Sequence, residues 1–386
     1  MSGIDFTPEA RVARFREWVN VRSAPLSASV LSNGSNILLG AAMHGMARRA
    51  GGAAELTEIE RMSVQFFDAM AQDEAEASQY GEICLEAKAL ARSGRFVAAK
   101  IPLSIMGLPE DVPYTEERFA EDFKELALET LAQPHIRAVT PDQILEDGTV
   151  AADEEYDAAS TLLRRGVTVF ADAQDLDPDA AADALPNWAW IRIKPVQFRC
   201  VHKSHEVGKD EVYFTWGFGS DMEAKVSHRT PEFGSVKNGV VRDFPQNPPL
   251  FSGYTNKAIA GHMVCWEADH SNSEWYDKLR RAMREIADKS AHMTKVTGDR
   301  NVDFLIGLIP AVGQVGEIQF WIENIANLVA RLLDLFRNHD DKVVEHSYGW
   351  NRNLAESLAS KNSTMTLDFN GGGGGHHTVT IQFAKS

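Results

Sequence analysis

The feature that most constrains this sequence is a change of hydrophobic period after Pro186. Upstream, apolar residues recur at helical spacing in segments such as "TPEARVARFREWV" and "YTEERFAEDFKELALETLA". Downstream, "WAWIRIKPVQFRCVH" alternates between apolar and polar positions, which is the period of a strand with one buried face. The change predicts a mainly helical part followed by a part built on β-sheet.

The distribution of charge supports the same boundary. The 386-residue chain is long enough for two domains and has a formal net charge of -16. Residues 1–186 contain 32 acidic and 16 basic side chains, whereas residues 187–386 contain 23 of each. We therefore predict an acidic, mainly helical domain over residues 1–186 and a second domain over residues 187–386.

The helical domain has recognisable start signals and two interruptions. Thr7 precedes Pro8 in the way that an N-cap precedes the first helical residue, and Thr115 precedes the helix pattern of "EERFAEDFKELALETLA". The pieces "RFVAAKIPLSIMGL" and "GVTVFADA" resemble short strands. The acidic stretch that begins at Asp175 predicts a linker ending at Pro186.

The second domain reads as an antiparallel sheet protein with a helical insertion. Strand patterns are found in "WAWIRIKPVQFRCVH", "DEVYFTWGFG", "YTNKAIAGHMVCWEA" and "HHTVTIQFA". Helical patterns occupy residues 273–338, from an expected N-cap at Ser273. The fold class predicted for the chain is α+β, with a helical N-terminal domain followed by a β-sandwich that carries an inserted helical hairpin.

The insertion contains the most apolar segment of the chain, "DFLIGLIPAVGQVGEIQFWIENIANLVARLLDLF". Its scattered charges, among them Glu317 and Glu323, argue against a stable membrane-spanning helix. Two alternatives stay open: the hairpin covers the protein's own core, or it enters a membrane interface or binds a partner. The candidate membrane or partner residues are Phe304, Leu305, Ile309, Phe320 and Trp321.

Three acidic loops lie beside predicted strands in the second domain. Clustered carboxylates are costly unless a cation neutralises them, and calcium requires six to eight oxygen ligands. If the three loops meet at one end of a sandwich, they form a calcium site. The candidate ligands are Asp210 and Glu211, Glu267 and Asp269, and Asp340 and Asp341.

These segments resemble those of the C2-like β-sandwich family of calcium- and phospholipid-binding modules. "GKDEVYF" is similar to that family's acidic loop entering a strand, "VCWEAD" to its apolar strand ending in an acidic loop, and "DDKVVEHSYGW" to its acidic pair before a hydrophobic segment. The resemblance covers residues 188–386. It implies a sandwich that attaches to a membrane with the assistance of calcium.

Each acidic loop also has a purely structural interpretation. Asp210 and Glu211 suit a turn, Glu267 and Asp269 suit the start of a helix, and the acidic pair before Lys342 suits the end of one. Zinc is a further, weaker hypothesis, based on Cys200, His202 and His205. The run "GGGGGHH" reads as a turn before the last strand.

Several classes of function find no support in the sequence. No nucleophile elbow, phosphate-binding loop or zinc-protease motif is present, and the acidic composition argues against nucleic acid as a partner. Three cysteines do not form a disulfide framework, and the N-terminal residues lack the apolar region of a secretory signal. We expect a cytoplasmic protein, or one exported without a cleavable signal.

Three hypotheses about function remain from the sequence. The first is a non-enzymatic binding protein, with calcium-assisted attachment to a membrane or protein partner, as a monomer or an oligomer. The second is a membrane-perturbing, pore-forming toxin or effector that uses the hairpin. The third is an enzyme whose site lies in the N-terminal domain, with the sandwich used for targeting.

Overall fold

The structure is a computed structural model, and it places the chain in two compact units. The first unit comprises Met1–Thr130 and Asn327–Asn338, and the second comprises Leu131–Ala326 and His339–Ser386. The residues that the structure describes are 7–20, 36–53, 55–93, 101–176, 188–205, 210–222, 224–245, 248–268, 273–292, 313–335 and 341–385.

The first unit is built from helices, as the period of its sequence predicts. Its helices are α1 (Pro8–Asn20), α2 (Ile37–Ala50), α3 (Glu58–Met70), α4 (Glu74–Arg92), the short α5 (Leu103–Met106) and α6 (Glu116–Leu131). α5 lies within "IPLSIMGL", which the sequence pattern assigned to a strand; that prediction is wrong for the described part of the segment. A short apolar run has no distinctive period, so helix and strand are not separable by pattern there.

A buried carboxylate organises the core of the first unit. Glu60 accepts hydrogen bonds from the backbone N–H groups of Thr57 at 2.9 Å and Tyr114 at 2.8 Å, and from Arg48 Nη1 at 2.5 Å. His44 lies beside it, with Nε2 3.6 Å from Glu60 Oε1 and 2.9 Å from the carbonyl oxygen of Val112. Each charge in this cluster has partners, so we interpret the cluster as structural.

The second unit contains two sheets. The seven-stranded sheet has the order β1–β2–β10–β9–β4–β5, with β6 also paired to β4, and the five-stranded sheet has the order β11–β12–β3–β7, with β8 also paired to β3. The strands are β1 (Ile136–Val139), β2 (Arg165–Phe170), β3 (Ala189–His202), β4 (Asp210–Ser220), β5 (Lys225–Arg229), β6 (Phe233–Val236), β7 (Val241–Asp243), β8 (Phe251–Thr255), β9 (Ala258–Glu267), β10 (Asp341–Asn351), β11 (Thr364–Asn370) and β12 (His376–Ala384).

The seven-stranded sheet is mixed, whereas the sequence predicted antiparallel pairing. β1 pairs with β2 in parallel, and β2 pairs with β10 in parallel, with Val167 opposite Ser347. The remaining pairs are antiparallel. Because β1 and β2 belong to this sheet, the second unit begins at Leu131, upstream of the boundary predicted at Pro186.

Two helices lie between β9 and β10, in the interval where the sequence predicted an insertion. They are α8 (Ser273–His292) and α9 (Gly313–Leu335). α8 packs against β4, β5 and β9. Its backbone approaches Gly217 of β4 very closely. A Cβ atom at that glycine would lie 2.1 Å from the carbonyl oxygen of Met283, so only glycine permits this approach.

The interior between the two sheets is apolar and rich in aromatic rings. Trp216, Phe214 and Trp350 from the seven-stranded sheet and Phe198 and Phe383 from the five-stranded sheet are all buried there. Two further helices complete the unit: α7 (Glu154–Leu163), which packs on β2, and α10 (Arg352–Ser360), which buries Leu354, Ala355 and Ala359. The molecule is therefore an α+β protein with a two-sheet second unit.

Candidate functional site

The second unit contains an open cavity of about 320 Å³ that has several polar side chains in its walls. Its walls come from β1, β2 and β10 of the seven-stranded sheet, from β11 and the start of β12, from α7, and from the segment that precedes α7. This volume is at the lower end of the range for small-molecule sites. Side chains from segments far apart in the sequence are therefore brought to one concave site.

The floor of the cavity is formed by three buried polar side chains around Gly166. The Tyr156 hydroxyl lies 2.9 Å from Thr168 Oγ1 and 3.3 Å from His346 Nδ1. A Cβ atom at Gly166 would lie 2.4 Å from the Tyr156 hydroxyl and 2.8 Å from His346 Nδ1. The absence of a side chain at position 166 is thus what makes room for the tyrosine and the histidine together.

Arg137 supplies the positive charge of the cavity. Its guanidinium carbon lies 3.8 Å from the centre of the Tyr156 ring, a cation–π contact, and its Nε donates to Thr168 Oγ1 at 3.3 Å. Among the residues that the structure describes, no carboxylate oxygen lies within 4 Å of this guanidinium, and its two terminal nitrogens donate no hydrogen bond. Tyr156 and Thr168 therefore hold the guanidinium of Arg137 in place, and its terminal nitrogens are available to another hydrogen-bond acceptor.

Burial keeps the floor of the cavity neutral at pH 7. It lowers the pKa of His346 to about 4 and raises the pKa of Tyr156 to about 12. Burial also raises the pKa of Tyr348, whose ring stacks on that of His346 with 5.8 Å between the ring centres. The histidine therefore faces the cavity as a neutral imidazole that can donate or accept a hydrogen bond.

Two carboxylates stand at the rim. Asp157 is on α7 and Asp368 is on β11, and both are exposed. Burial raises the pKa of Asp157, while the nearby Arg137 acts in the opposite direction. Asp368 Oδ1 lies 2.5 Å from His376 Nε2. The cavity thus has a cationic interior group and an acidic rim, which is a dipolar arrangement.

A tight turn closes one side of the cavity. Gly148 has φ +81°, and its carbonyl oxygen accepts a hydrogen bond from the backbone N–H of Thr366 at 2.8 Å. A Cβ atom at this glycine would lie 2.6 Å from the carbonyl oxygen of Thr364. Both the conformation and the close approach require glycine, and they fix the lining residues Thr149–Ala152 against β11.

The acidic residues predicted to bind calcium are in part brought together elsewhere in the second unit. Ser204 Oγ lies 3.0 Å from both Asp210 Oδ1 and Glu267 Oε1, and the Ser204 backbone N–H donates to Asp210 Oδ2 at 2.6 Å. The predicted ligands Asp210 and Glu267 therefore meet at one buried hydroxyl. Lys203 Nζ lies 3.8 Å from Asp210 Oδ1.

Of the other four predicted ligands, only Glu211 has a side chain among the described residues. Glu211 uses its carbonyl oxygen to accept a hydrogen bond from Ala268 at 2.7 Å. Asp341 begins β10 directly opposite Glu267 in the strand register, and Asp269 and Asp340 lie outside the described residues. Across the described ranges, no group of three or more histidine, cysteine or acidic side chains has the geometry to hold a metal ion.

The residues predicted to meet a membrane or a partner are buried where they can be located. Phe320 and Trp321 lie on α9 with 0% and 1% of their surface exposed, and Trp321 Nε1 donates to the carbonyl oxygen of Lys289 at 3.2 Å. Phe304, Leu305 and Ile309 fall outside the described residues. Among the helices that are described, none has the length and apolar character to cross a bilayer. Entry of this segment into lipid stays a prediction.

The weaker zinc hypothesis is not favoured by the geometry. Cys200 and Cys265 are buried free thiols, and burial raises the pKa of each. The rings of His202 and His376 are 5.3 Å apart, and His377 is fully buried with no hydrogen bond to either ring nitrogen in the described structure. These residues lie near one another because β12 pairs with β3.

A serine, a histidine and a glutamate also lie together on the other face of the seven-stranded sheet. Ser347 Oγ is 2.9 Å from His262 Nδ1, and His262 Nε2 is 3.4 Å from Glu345 Oε2. Each of the three residues is 1% exposed, so a substrate could not reach the hydroxyl without a large displacement of structure. We interpret them as a buried polar network, in which Lys342 donates to Glu345 at 2.7 Å.

Sequence reasoning did not find Arg137, Tyr156, Thr168 or His346. "GVTVFADA" was recognised as strand-like, and the strand places Thr168 on the same face as Gly166. The parallel pairing of β2 with both β1 and β10 is what brings Arg137 and His346 to it. A single sequence contains no signal for that pairing.

Comparison with known proteins gives no relative from which a function could be transferred. Neither a scan against protein-family models, nor a search of curated proteins, nor a search of solved structures found a match to this chain.

Proposed function

We propose that this protein is a binding protein whose second unit holds a small organic acid in the Arg137 cavity. One observation supports the proposal above the others. A guanidinium in the wall of a cavity is fixed by a tyrosine ring and a threonine hydroxyl, and no described carboxylate lies within 4 Å of it. A carboxylate or phosphate group of a ligand would complete its hydrogen bonding, because the guanidinium fork matches those groups.

The rest of the cavity restricts the class of ligand. A neutral His346 and a neutral Tyr156 can orient hydroxyl or amide groups, but they add no positive charge. Asp157 and Asp368 at the rim would repel a second anionic group on the ligand. The arrangement suits a small molecule with one acidic group and, at its other end, hydroxyls or an ammonium group.

Replacing Arg137 with glutamine should weaken the binding of a small acid. A thermal-shift screen with L-alanine, L-malate, glycerol 3-phosphate and glucose should raise the melting temperature with a singly acidic or zwitterionic compound and not with glucose. For the best compound, Arg137→Gln should weaken binding about 10- to 100-fold, because a hydrogen bond to a charged group contributes about 1.5–3 kcal/mol. Titration calorimetry measures the change.

The matched control for this variant is Arg118→Gln. Arg118 is an exposed arginine on α6 in the first unit, so its replacement removes the same charge without altering the cavity. The control should bind as the parent protein does. Equal affinity of the parent and Arg137→Gln for every acidic compound would contradict the proposal.

A second candidate function is calcium-assisted attachment, and the cluster around Ser204 favours it. A serine hydroxyl has one hydrogen, yet Asp210 and Glu267 each place an oxygen 3.0 Å from Ser204 Oγ. Two converging carboxylates are costly unless positive charge or a proton offsets them, and Lys203, with Nζ 3.8 Å from Asp210 Oδ1, supplies one positive charge. Calcium would supply more positive charge if further oxygens joined Asp210 and Glu267.

Calorimetric titration with calcium separates the proton from the cation. If calcium binds, the parent protein should release heat on titration, and Asp210→Asn should abolish the signal because one of the two converging carboxylates is lost. Asp142→Asn, an exposed aspartate in the second unit, is the matched control and should leave the signal unchanged. Absence of heat in the parent would leave Lys203 and a shared proton as the explanation and remove calcium.

A further inference from the structure

The outer face of the five-stranded sheet carries an unusual share of exposed apolar surface. Trp188 is 65% exposed and Tyr254 is 51% exposed, and their rings lie 5.6 Å apart. Val196, Val201 and Val241 on the same sheet are also exposed. Side chains of this kind scattered singly are ordinary, but five of them on one sheet face form a patch.

The strand register places these side chains on one face of the sheet, in two groups along β3. Trp190 is directly opposite Tyr254 across β3 and β8, and Trp188 precedes Trp190 by two residues and so projects to the same side. Val241 on β7 is directly opposite Arg199 on β3. The aromatic pair lies at one end of β3, and the valines lie towards the other.

The central strand of the same face, β3, is basic in an otherwise acidic chain. β3, β8 and β12 contain no aspartate or glutamate, whereas β7 and β11 each place one exposed aspartate on this face, Asp243 and Asp368. β3 contributes Arg192, Lys194 and Arg199 from its outward-facing positions. Lys194 and Arg199 form no salt bridge within the described residues. The three basic side chains of β3 outnumber the two aspartates on this face, so the region along β3 is complementary to an anionic surface.

We propose that this sheet face attaches the protein to an anionic lipid bilayer. Tryptophan and tyrosine are suited to the membrane–water interface, and lysine and arginine are attracted by the negative potential of anionic headgroups. A soluble acidic polysaccharide could pair with the cations, but it offers no apolar region for three exposed valines. A bilayer accounts for the aromatic, aliphatic and cationic side chains at once.

This attachment depends neither on the Arg137 cavity nor on calcium. The three basic side chains of β3 are not among the residues that line the cavity or bond to Ser204, although Thr378, opposite Arg199 on β12, does line the cavity. Binding of the protein to vesicles in the presence of a calcium chelator can therefore be attributed to the sheet face. If small acids do not bind the cavity, the proposal of membrane attachment still stands. If the protein does not bind vesicles, the proposal of acid binding still stands.

Vesicle co-sedimentation of the full chain tests the attachment. The probes are vesicles of pure phosphatidylcholine and vesicles with about one third phosphatidylserine, both in 0.1 M salt with EDTA. We expect binding only to the second type, weakening as salt increases. Lys194→Glu with Arg199→Glu, and separately Trp188→Ala with Tyr254→Ala, should each reduce the partition coefficient about tenfold or more.

Matched controls use side chains elsewhere on the surface. Lys361→Glu reverses an exposed charge after α10, and Leu162→Ala removes an exposed leucine on α7; both should sediment with the vesicles as the parent does. Circular dichroism verifies that each variant is folded, and Lys194→Gln with Arg199→Gln replaces the charge reversal if that pair does not fold. Three outcomes overturn the proposal: no sedimentation of the parent, equal binding to both vesicle types, or binding to soluble heparin with none to vesicles.

Discussion

Lowering the pH from 7 to 5 should destabilise both units. Each unit contains a buried histidine that stays neutral over this range, whereas the same histidine becomes protonated in the unfolded chain. Burial lowers the pKa of His44 in the first unit, and of His346 and His377 in the second, to about 4. Below the ordinary histidine pKa of about 6.5, the unfolded chain binds these protons and the folded chain does not. Each histidine should therefore lower the free energy of unfolding by about 2 kcal/mol at pH 5 relative to pH 7.

Two histidines make the second unit the more acid-sensitive, with a loss of about 4 kcal/mol against a typical total of 5–15 kcal/mol. Guanidinium denaturation followed by tryptophan fluorescence at pH 7, 6 and 5 measures the effect. His377→Phe should remove about half of the pH dependence of the second unit, since the ring already lies among aromatic neighbours such as Phe198. His205→Gln, at an exposed position, is the control. Constant stability between pH 7 and 5 would contradict the prediction.

Gly166→Ala should destabilise the second unit and disable the cavity. The new Cβ would lie 2.4 Å from the Tyr156 hydroxyl and 2.8 Å from the His346 ring, so at least one buried side chain must leave its position. Overpacking of this kind costs about 1–3 kcal/mol. We expect that loss in the free energy of unfolding, together with loss of binding of small acids.

Gly234→Ala is the matched control, because nothing lies within 4 Å of a Cβ atom at that position. A second variant tests the cause. Tyr156→Phe removes the hydroxyl at 2.4 Å, so the double variant should recover part of the stability that Gly166→Ala loses, with a coupling energy of about 0.5–3 kcal/mol. Simple additivity of the two substitutions would show that the steric account is wrong.

The local parts of the fold are predictable from the sequence. The alternating patterns correspond to β3, β4, β9 and β12, because one face of each strand lies in the apolar interior and the other does not. Helical patterns predicted within residues 273–338 correspond to α8 and α9, whose long amphipathic patterns have no strand alternative. The mainly helical character of the first unit is confirmed for the same reason.

The long-range parts of the fold are not predictable in this way. β1 and β2 are short strands embedded among helices, and nothing in their local pattern indicates that they pair in parallel with β10, which follows β2 by more than 170 residues in the sequence. The charge step at Pro186 therefore does not coincide with the start of the second unit at Leu131.

The candidate site illustrates the same limit. Arg137, Tyr156 and His346 are ordinary residues in their local segments, and they become a site only through the parallel pairing around β2. The acidic residues were visible because they cluster in the sequence, and the structure brings two of them, Asp210 and Glu267, to Ser204. Calcium binding by these residues stays a prediction, and their pattern in the sequence gives no indication of the cavity.

The most direct test of the central claim compares an acid with its own amide. For the best small acid from the screen, calorimetric titration of the parent should show the acid binding about 10-fold or more tightly than the matched primary amide, because only the acid completes the hydrogen bonding of Arg137. Arg137→Gln should bind the two compounds with equal affinity. If the parent does not distinguish acid from amide, or if Arg137→Gln keeps the full preference, the cavity is not an acid-binding site.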